Sequence, residues 1–229
     1  KPGLGKSTGI RRMATGLAGF GVMPLVLGDL KPDYVDMVQA LGGQVISLGR
    51  GRGYLNVLDP GEATEAALRL TGAARAAVLA DAHGRRLTMV SALITILRSA
   101  QPTDREETIL DRALRILDEK HVGVPVLSDL LQVVRDAPEE LRIVALDRGD
   151  DNRYRDITEN LEASLIGLTT GGRLGETFSR QTSNPMRRDR PVVFDVSGID
   201  DSEMELQAAT LLACWSAGFG TVNVANALA

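Results

Sequence analysis

Lys1-Pro2-Gly3-Leu4-Gly5-Lys6-Ser7-Thr8 opens the 229-residue chain, and its reading decides the fold. Gly3 and Gly5 lack a Cβ, so successive backbone N–H groups can turn inward as an anion nest. A helical pattern starts near Lys6 and aims its positive end at the same point. Lys6 is suited to neutralise β/γ-phosphate charge, the Ser7 hydroxyl to face Mg²⁺, and Thr8 to reach an α-phosphate. The run matches the end of the pattern G-x-x-x-x-G-K-[ST], whose first glycine would fall one residue before Lys1. Gly3, Leu4, Gly5, Lys6, Ser7 and Thr8 are therefore the expected ATP-binding set, with Mg²⁺ as the accompanying ion. A glycine-rich turn that merely contains Lys-Ser-Thr is the bland alternative. The helix after the loop and the strand beyond it argue against that.

Working outward, residues 6 to about 20 read as a helix, and 23–27 (MPLVL) as a short buried strand bounded by Gly21 and Gly28. Residues 34–41 read as a helix stopped by Gly42-Gly43, and 44–48 as a second strand before an Arg/Gly loop at 49–53. This alternation predicts an α/β fold with a parallel, doubly wound sheet. From about residue 62 to 168 the period becomes helical. The first helix spans 62–97 with a break expected at His83-Gly84. Thr103-Asp104-Arg105-Glu106 resembles a capping box opening a helix to about 119. Further helices are expected at 128–135, 139–145 and 154–168, with a polar hinge at 147–152. Strand character returns at 191–196 (PVVFDV), and a long helix follows from about 202. The predicted plan is an ATPase core begun by residues 1–60, an all-helical insert over 61–170, and a return to the core over 171–229.

Composition sets bounds. Aromatic residues are 3% of the chain, which leaves few groups for stacking single-stranded bases, and the net charge of −4 gives no global footprint for nucleic acid. The single cysteine, Cys214, excludes an internal disulfide and reads as core, as does Trp215. No uninterrupted apolar run reaches the roughly 18–20 residues of a membrane span, and no signal peptide is present. A start at Lys1 inside a functional loop, and an end in small apolar residues without a stop signal, read as a piece of a longer protein.

Two acids fall at predicted strand ends. In a doubly wound sheet these ends line the ligand crevice, so Asp29 lies where a γ-phosphate, Mg²⁺ or attacking water would sit. Capping the next helix is its alternative role. Asp195, after three apolar residues, is the second candidate, as a magnesium-shell residue opposite the loop serine. Lys6, Asp29 and Asp195 are thus the catalytic candidates, and Ser7 and Asp195 the metal candidates. His83 and His121 stand far apart without ligand spacing and read as surface or packing residues.

The succession of Gly5-Lys6-Ser7-Thr8, LVLGDLKPDY at 25–34, GGQVISLGRGRGYLNVLDP at 42–60, a helical stretch and PVVFDVSGID at 191–200 resembles the large ATPase of conjugative type IV secretion systems. That family belongs to the HerA–FtsK superfamily of ring-forming translocases. Its second strand ends in a motif close to D-P-K-G-E-Y, matched here at Asp29, Lys31 and Tyr34, with Asp33 in place of the glutamate. Leu55-Asn56-Val57-Leu58-Asp59 is similar to its Asn-Pro-Leu-Asp-like segment. The Arg/Gly loop looks most like actinobacterial conjugal-transfer members.

The resemblance implies a RecA-like core, ATP hydrolysis coupled to DNA or protein transfer, and a homo-oligomeric ring, hexameric in the family. It also implies secretion-apparatus partners, DNA as a further candidate partner, and a cytoplasmic position at the inner face of the membrane. An FtsK-type DNA translocase and a nucleotide-dependent assembly module with little hydrolysis are the competing readings. The family's acidic motif is Asp-Glu after four apolar residues, whereas Val196-Ser197 follow Asp195 here. The resemblance therefore places that motif shortly after Ala229. Ring translocases insert an arginine into a neighbour's site; Arg173 is one candidate, and Arg50 and Arg52 are candidates to face a phosphate or a ring interior. Arg180, Arg187, Arg188 and Arg190 form a basic stretch before the last strand. The chain of residues 1–229 is expected to bind ATP yet turn it over at least about 100-fold more slowly than an intact enzyme, since it lacks a glutamate base; a steady-state phosphate-release assay checks this.

Overall fold

The structure, a computed structural model, describes residues 5–169, 171–172 and 174–229. Lys1, Pro2, Gly3, Leu4 and Arg173, named above, lie outside the described residues. The chain divides into two compact units, Lys1–Gly53 with Ser183–Gly218, and Tyr54–Thr182 with Phe219–Ala229.

The first unit is built on three parallel strands, β1 (Leu25–Asp29), β2 (Gln44–Ser47) and β3 (Val192–Asp195), in the order β1-β3-β2. Central strand β3 is buried at every residue, and its Val-Val-Phe run has the unbroken apolar character of a strand covered on both faces. β2 pairs with β3 without a slip, from Gln44 opposite Val192 to Ser47 opposite Asp195. β1 does not. Leu25 and Val26 face Val192 and Val193, but it is Asp29 that faces Asp195, so β1 spends one extra residue. That irregularity falls at Gly28, whose φ of 107° suits only glycine, and a Cβ there would lie 2.4 Å from Leu211 Cδ2. The bulge places Asp29 level with Asp195; regular pairing would have put it opposite Val196.

The same unit also contains α1 (Lys6–Ala18), α2 (Val35–Ala40) and the first part of α10 (Met204–Leu228). α1 buries none of its residues and exposes Ile10, Met13 and Leu17; Arg11 Nη1 donates to the Asp33 carbonyl at 3.1 Å. α10 turns Leu206, Ala209, Thr210, Ala213 and Cys214 inward. Trp215 is one step further round the helix and is 54% exposed, which corrects its reading as core. No uninterrupted apolar run of membrane-spanning length occurs in the sequence, but average hydropathy over a helix is a looser test. Among the described residues, α10 passes that test by length and composition, because single polar residues such as Gln207, Ser216 and Asn223 interrupt it without charge.

The second unit is helical: α3 (Ala63–Arg69), α4 (Gly72–Arg98), α5 (Asp104–Lys120), α6 (Leu127–Asp136), α7 (Glu139–Ala145), α8 (Asp151–Leu168) and the short α9 (Gly175–Phe178). Its core is aliphatic, with Leu93, Ile94, Leu110, Leu114, Leu130 and Leu165 fully buried. The capping box of α5 forms as read: Glu106 N donates to Thr103 Oγ1 and Thr103 N donates to Glu106 Oε2. Such a cap contributes about 1 kcal/mol, against about 2–3 kcal/mol for each fully buried leucine. The apolar stripe therefore holds α5 in place, and the cap fixes where it begins. The same Glu106 takes both ends of the Arg98 guanidinium, at 3.0 and 2.7 Å, which ties the end of α4 to the start of α5. The expected hinge at 147–152 is a tight turn in which buried Asp147 accepts from Gly149 N and pairs with Arg142, while Asp150 caps α8.

The expected break at His83-Gly84 does not occur. α4 is continuous there, and the interruption comes earlier, at Leu70, whose backbone is extended. His83 holds the helix on course by contact with α5. Its Nε2 lies 2.7 Å from Asp111, its Nδ1 3.4 Å from Asp118, and Arg86 grips Asp118 with two bonds of 2.7 Å. Bonding to Asp118 raises the His83 pKa, burial opposes this, Asp111 adds to it, and nearby Arg115 lowers it. Burial alone would raise the Asp118 carboxyl, but His83 and Arg86 outweigh it and hold it at about 2. A histidine with a raised folded pKa contributes stability in full below its unfolded value near 6.5, and that contribution is lost as pH rises through the folded pKa. Chemical denaturation across pH 5 to 9 is expected to show the wild type losing stability on the alkaline side. His83→Asn is expected to flatten that slope and to cost roughly 1–2 kcal/mol at pH 5.5.

Candidate functional site

The three parallel strands end together, and their carboxyl edge gathers Asp29, Asp195 and Ser47 through the register and the Gly28 bulge. Both acids are buried, 4% and 6% exposed, so each must find partners for its oxygens. Asp195 finds them completely. Its Oδ1 accepts from Ser197 N at 3.0 Å and Ser197 Oγ at 2.6 Å, and its Oδ2 accepts from Arg52 Nη2 at 3.0 Å and Ser47 Oγ at 3.4 Å. Burial alone would raise its pKa, but Ser197 and Arg52 prevail and hold it below the ordinary carboxylate range. Asp29 Oδ2 accepts from Tyr34 N at 2.8 Å, just ahead of α2. Loss of hydration raises the Asp29 pKa, the amides of Tyr34 and Asp33 work against this, and the charges of Asp33 and Asp195 add to the rise.

Of the glycine-lysine loop, Gly5 to Thr8 are among the described residues. Gly5 is the N-cap of α1 with a left-handed φ of 72°, no side chain caps the helix, and no acid stands in its first turn. Lys6 and Thr8 are exposed and Ser7 is half-buried. Among the described residues, no hydrogen bond or ion pair engages the side chains of Lys6, Ser7 or Thr8, or joins them to Asp29 or Asp195. The first-turn amides and the lysine are therefore unspent, which fits an anionic phosphate. The Ser7 hydroxyl is likewise available to a magnesium ion. Asp195 has no such freedom, because a metal there would have to displace Arg52 or Ser197. Among the described residues no cluster of three or more His, Cys, Asp or Glu side chains could hold a metal on its own.

Other candidates have definite places. Arg50 pairs with Glu203 at 2.9 Å and Arg52 with Asp195, so both loop arginines have partners within the chain. Arg187 and Arg190 both bond Asp189, and Arg180 lies over the Tyr54 ring at 4.9 Å. Asn56 is a buried strut: its Nδ2 donates to the Pro125 carbonyl at 2.9 Å and its Oδ1 accepts from Leu58 N at 3.0 Å. His121 Nε2 lies 3.8 Å from Asp129. Sequence reasoning missed Ser47, Ser197 and the pairing of Arg52 with Asp195. The Asp-x-Ser spacing of 195–197 is an Asx-turn pattern and carried a local signal. The contributions of Ser47 and Arg52 needed the strand register.

No family model matches the chain, and no curated protein matches it. Among solved structures it is similar to the structure of VirB4 of Thermoanaerobacter pseudethanolicus, with a TM-score of 0.62 at 19% sequence identity. The match covers 97% of this chain and 55% of that one, so the chain spans about half the length of this neighbour. The two chains share a fold, and the likeness extends over both units.

Removing the carboxylate that binds Arg52, Ser47 and Ser197 leaves buried donors unpaired. Asp195→Ala is expected to cost about 2–4 kcal/mol of stability and Asp195→Asn less, since the amide oxygen still accepts; urea denaturation of the two variants checks this ranking.

Proposed function

We propose that this chain is the nucleotide-binding part of a motor ATPase of a conjugation or type IV secretion machine. The observation that carries the reading is Gly5-Lys6-Ser7-Thr8 at the uncapped start of α1, in a chain whose sequence resembles the large ATPases of conjugative type IV secretion and which shares its fold with VirB4 of Thermoanaerobacter pseudethanolicus. In this reading residues 1–60 and 171–229 belong to a RecA-like, doubly wound core, and 61–170 form a helical insert. The parent protein works as a ring at the cytoplasmic face of the membrane, with secretion-apparatus proteins and transferred DNA or protein as its partners. The kinship with actinobacterial conjugal-transfer members belongs to the same proposal.

The chemistry follows from residue types and from the geometry of the edge. By residue type, Gly3, Leu4 and Gly5 are the cradle positions of the phosphate-loop pattern, and Lys6 and Thr8 add a cation and a hydroxyl. Ser7 would hold Mg²⁺, which when bound supplies charge neutralisation on the β- and γ-phosphates. Asp29 stands at the strand end with a raised pKa, where a group that orients water or accepts a proton belongs. Asp195 acts on the site through Arg52 and Ser197, because its oxygens are already engaged.

Lys6→Ala is expected to weaken ATP binding by at least about tenfold while leaving thermal unfolding unchanged, since Lys6 is exposed. Titration calorimetry with ATP and Mg²⁺ reads the first and a melting curve the second. Undiminished binding by Lys6→Ala would sink the proposal. In the full-length protein, stimulation of ATP turnover by secretion-channel proteins supports the secretion motor, and stimulation by DNA with steep salt dependence supports an FtsK-type translocase.

A further inference from the structure

The loop 49–53 leaves the carboxyl end of β2 and is closed by a bridge between Gly49 and Gly53. Its second arginine, Arg52, is held from two sides. Nη2 bonds Asp195 Oδ2 at 3.0 Å, and the side chain lies directly on the α-carbon of Gly198, where an added Cβ would come within 2.1 Å of Nη1 and 2.6 Å of Cδ. The side chain nevertheless remains 38% exposed. Among the described residues its Nε and Nη1 donate to nothing. A guanidinium has five N–H donors in a fixed fork, so most of this one is unspent while its position is fixed.

The electrostatics of the edge require such a cation. Asp29, Asp33 and Asp195 crowd negative charge there, enough to help raise the Asp29 pKa. A polyphosphate approaching three carboxylates would be repelled, and Arg52 is the group that neutralises the Asp195 charge on the β2 side. A salt bridge serving stability alone would gain from turning both guanidinium edges to its carboxylate, as Arg86 does to Asp118. Arg52 presents one nitrogen only.

We propose that Arg52 is a phosphate-binding residue of the nucleotide site, seated by Asp195 and Gly198 so that its remaining N–H groups meet the distal phosphate of a nucleoside triphosphate. The proposal rests on the nucleotide-binding reading above. It assigns Asp195 and Gly198 positioning roles, and it makes Arg52 discriminate a triphosphate from a diphosphate.

The test uses the full-length protein and equilibrium binding of a non-hydrolysable ATP analogue and of ADP. Arg52→Ala is expected to weaken the analogue about tenfold and ADP less than about twofold. Gly198→Ala is expected to reproduce that selective loss. Gly198 carries no positive φ, and the atoms its new Cβ would meet belong to the flexible Arg52 side chain, so the fold survives while the guanidinium is pushed away. Arg52→Lys, which keeps the charge and loses the fork, is expected to fall between. Melting curves of all three separate a folding defect from a binding one. Equal affinities of wild type and Gly198→Ala for both nucleotides, with Lys6→Ala defective for both, overturn the role of Arg52 and leave the phosphate loop intact. A wild-type protein that binds neither nucleotide removes the underlying reading and this proposal with it.

Discussion

Everything at the carboxyl edge depends on one pairing that closes a long stretch of chain: Ser47 of β2 meets Asp195 of β3 across a sequence separation of 148 residues. Closing a loop of that length costs entropy, but only logarithmically in its length, and the cost falls further when the intervening residues are themselves folded. The helical unit supplies that order with its own aliphatic core. The return on closure is a central strand buried at every residue, with partners on both sides. Once β3 is in place, Asp29, Asp195, Ser47 and the arginine loop have little choice of position.

Burial then sets the chemistry. A carboxylate taken out of water must be paired or else take up a proton, and the two strand-end acids resolve this differently. Asp195 is surrounded by donors and stays ionised, locked to its neighbours. Asp29 has amide partners but also two acids near it, and its affinity for a proton rises. Two residues that look alike in the sequence, each an aspartate at the end of an apolar run, are thus given different characters by a few ångströms of surroundings. The free loop at Gly5–Thr8 is the opposite case, a set of donors with no acceptor supplied by the described residues.

Much of the fold was legible in the sequence because its signals are local. The Glu139–Ala145 helix, the Thr103 capping box and the two short strands before residue 50 are written in apolar spacing, cap residues and flanking glycines. The errors have equally definite causes. A histidine followed by glycine looks like a helix break until two acids from another helix, far away in sequence, hold that histidine in place. The short α9 has no periodicity to find in four residues. Trp215 looked like core because it lies among Leu211, Leu212 and Cys214, whereas one helical step of about 100° turns it outward. At the site, the acids were visible as strand-end residues. Their partners were not, because Ser47 and Arg52 reach Asp195 only through the register of strands that lie far apart in the chain.

The extra residue in β1 has a consequence beyond placing one acid. Along an unbroken strand, the side each residue faces is dictated by every residue before it, so the lower half of β1 would govern the orientation of its tip. The bulge at Gly28 works as a phase shifter that cuts this link: Leu25 and Val26 keep step with β3 for packing, while Asp29 takes its orientation afresh. Core and edge of the same five-residue strand are thereby free to answer to different demands.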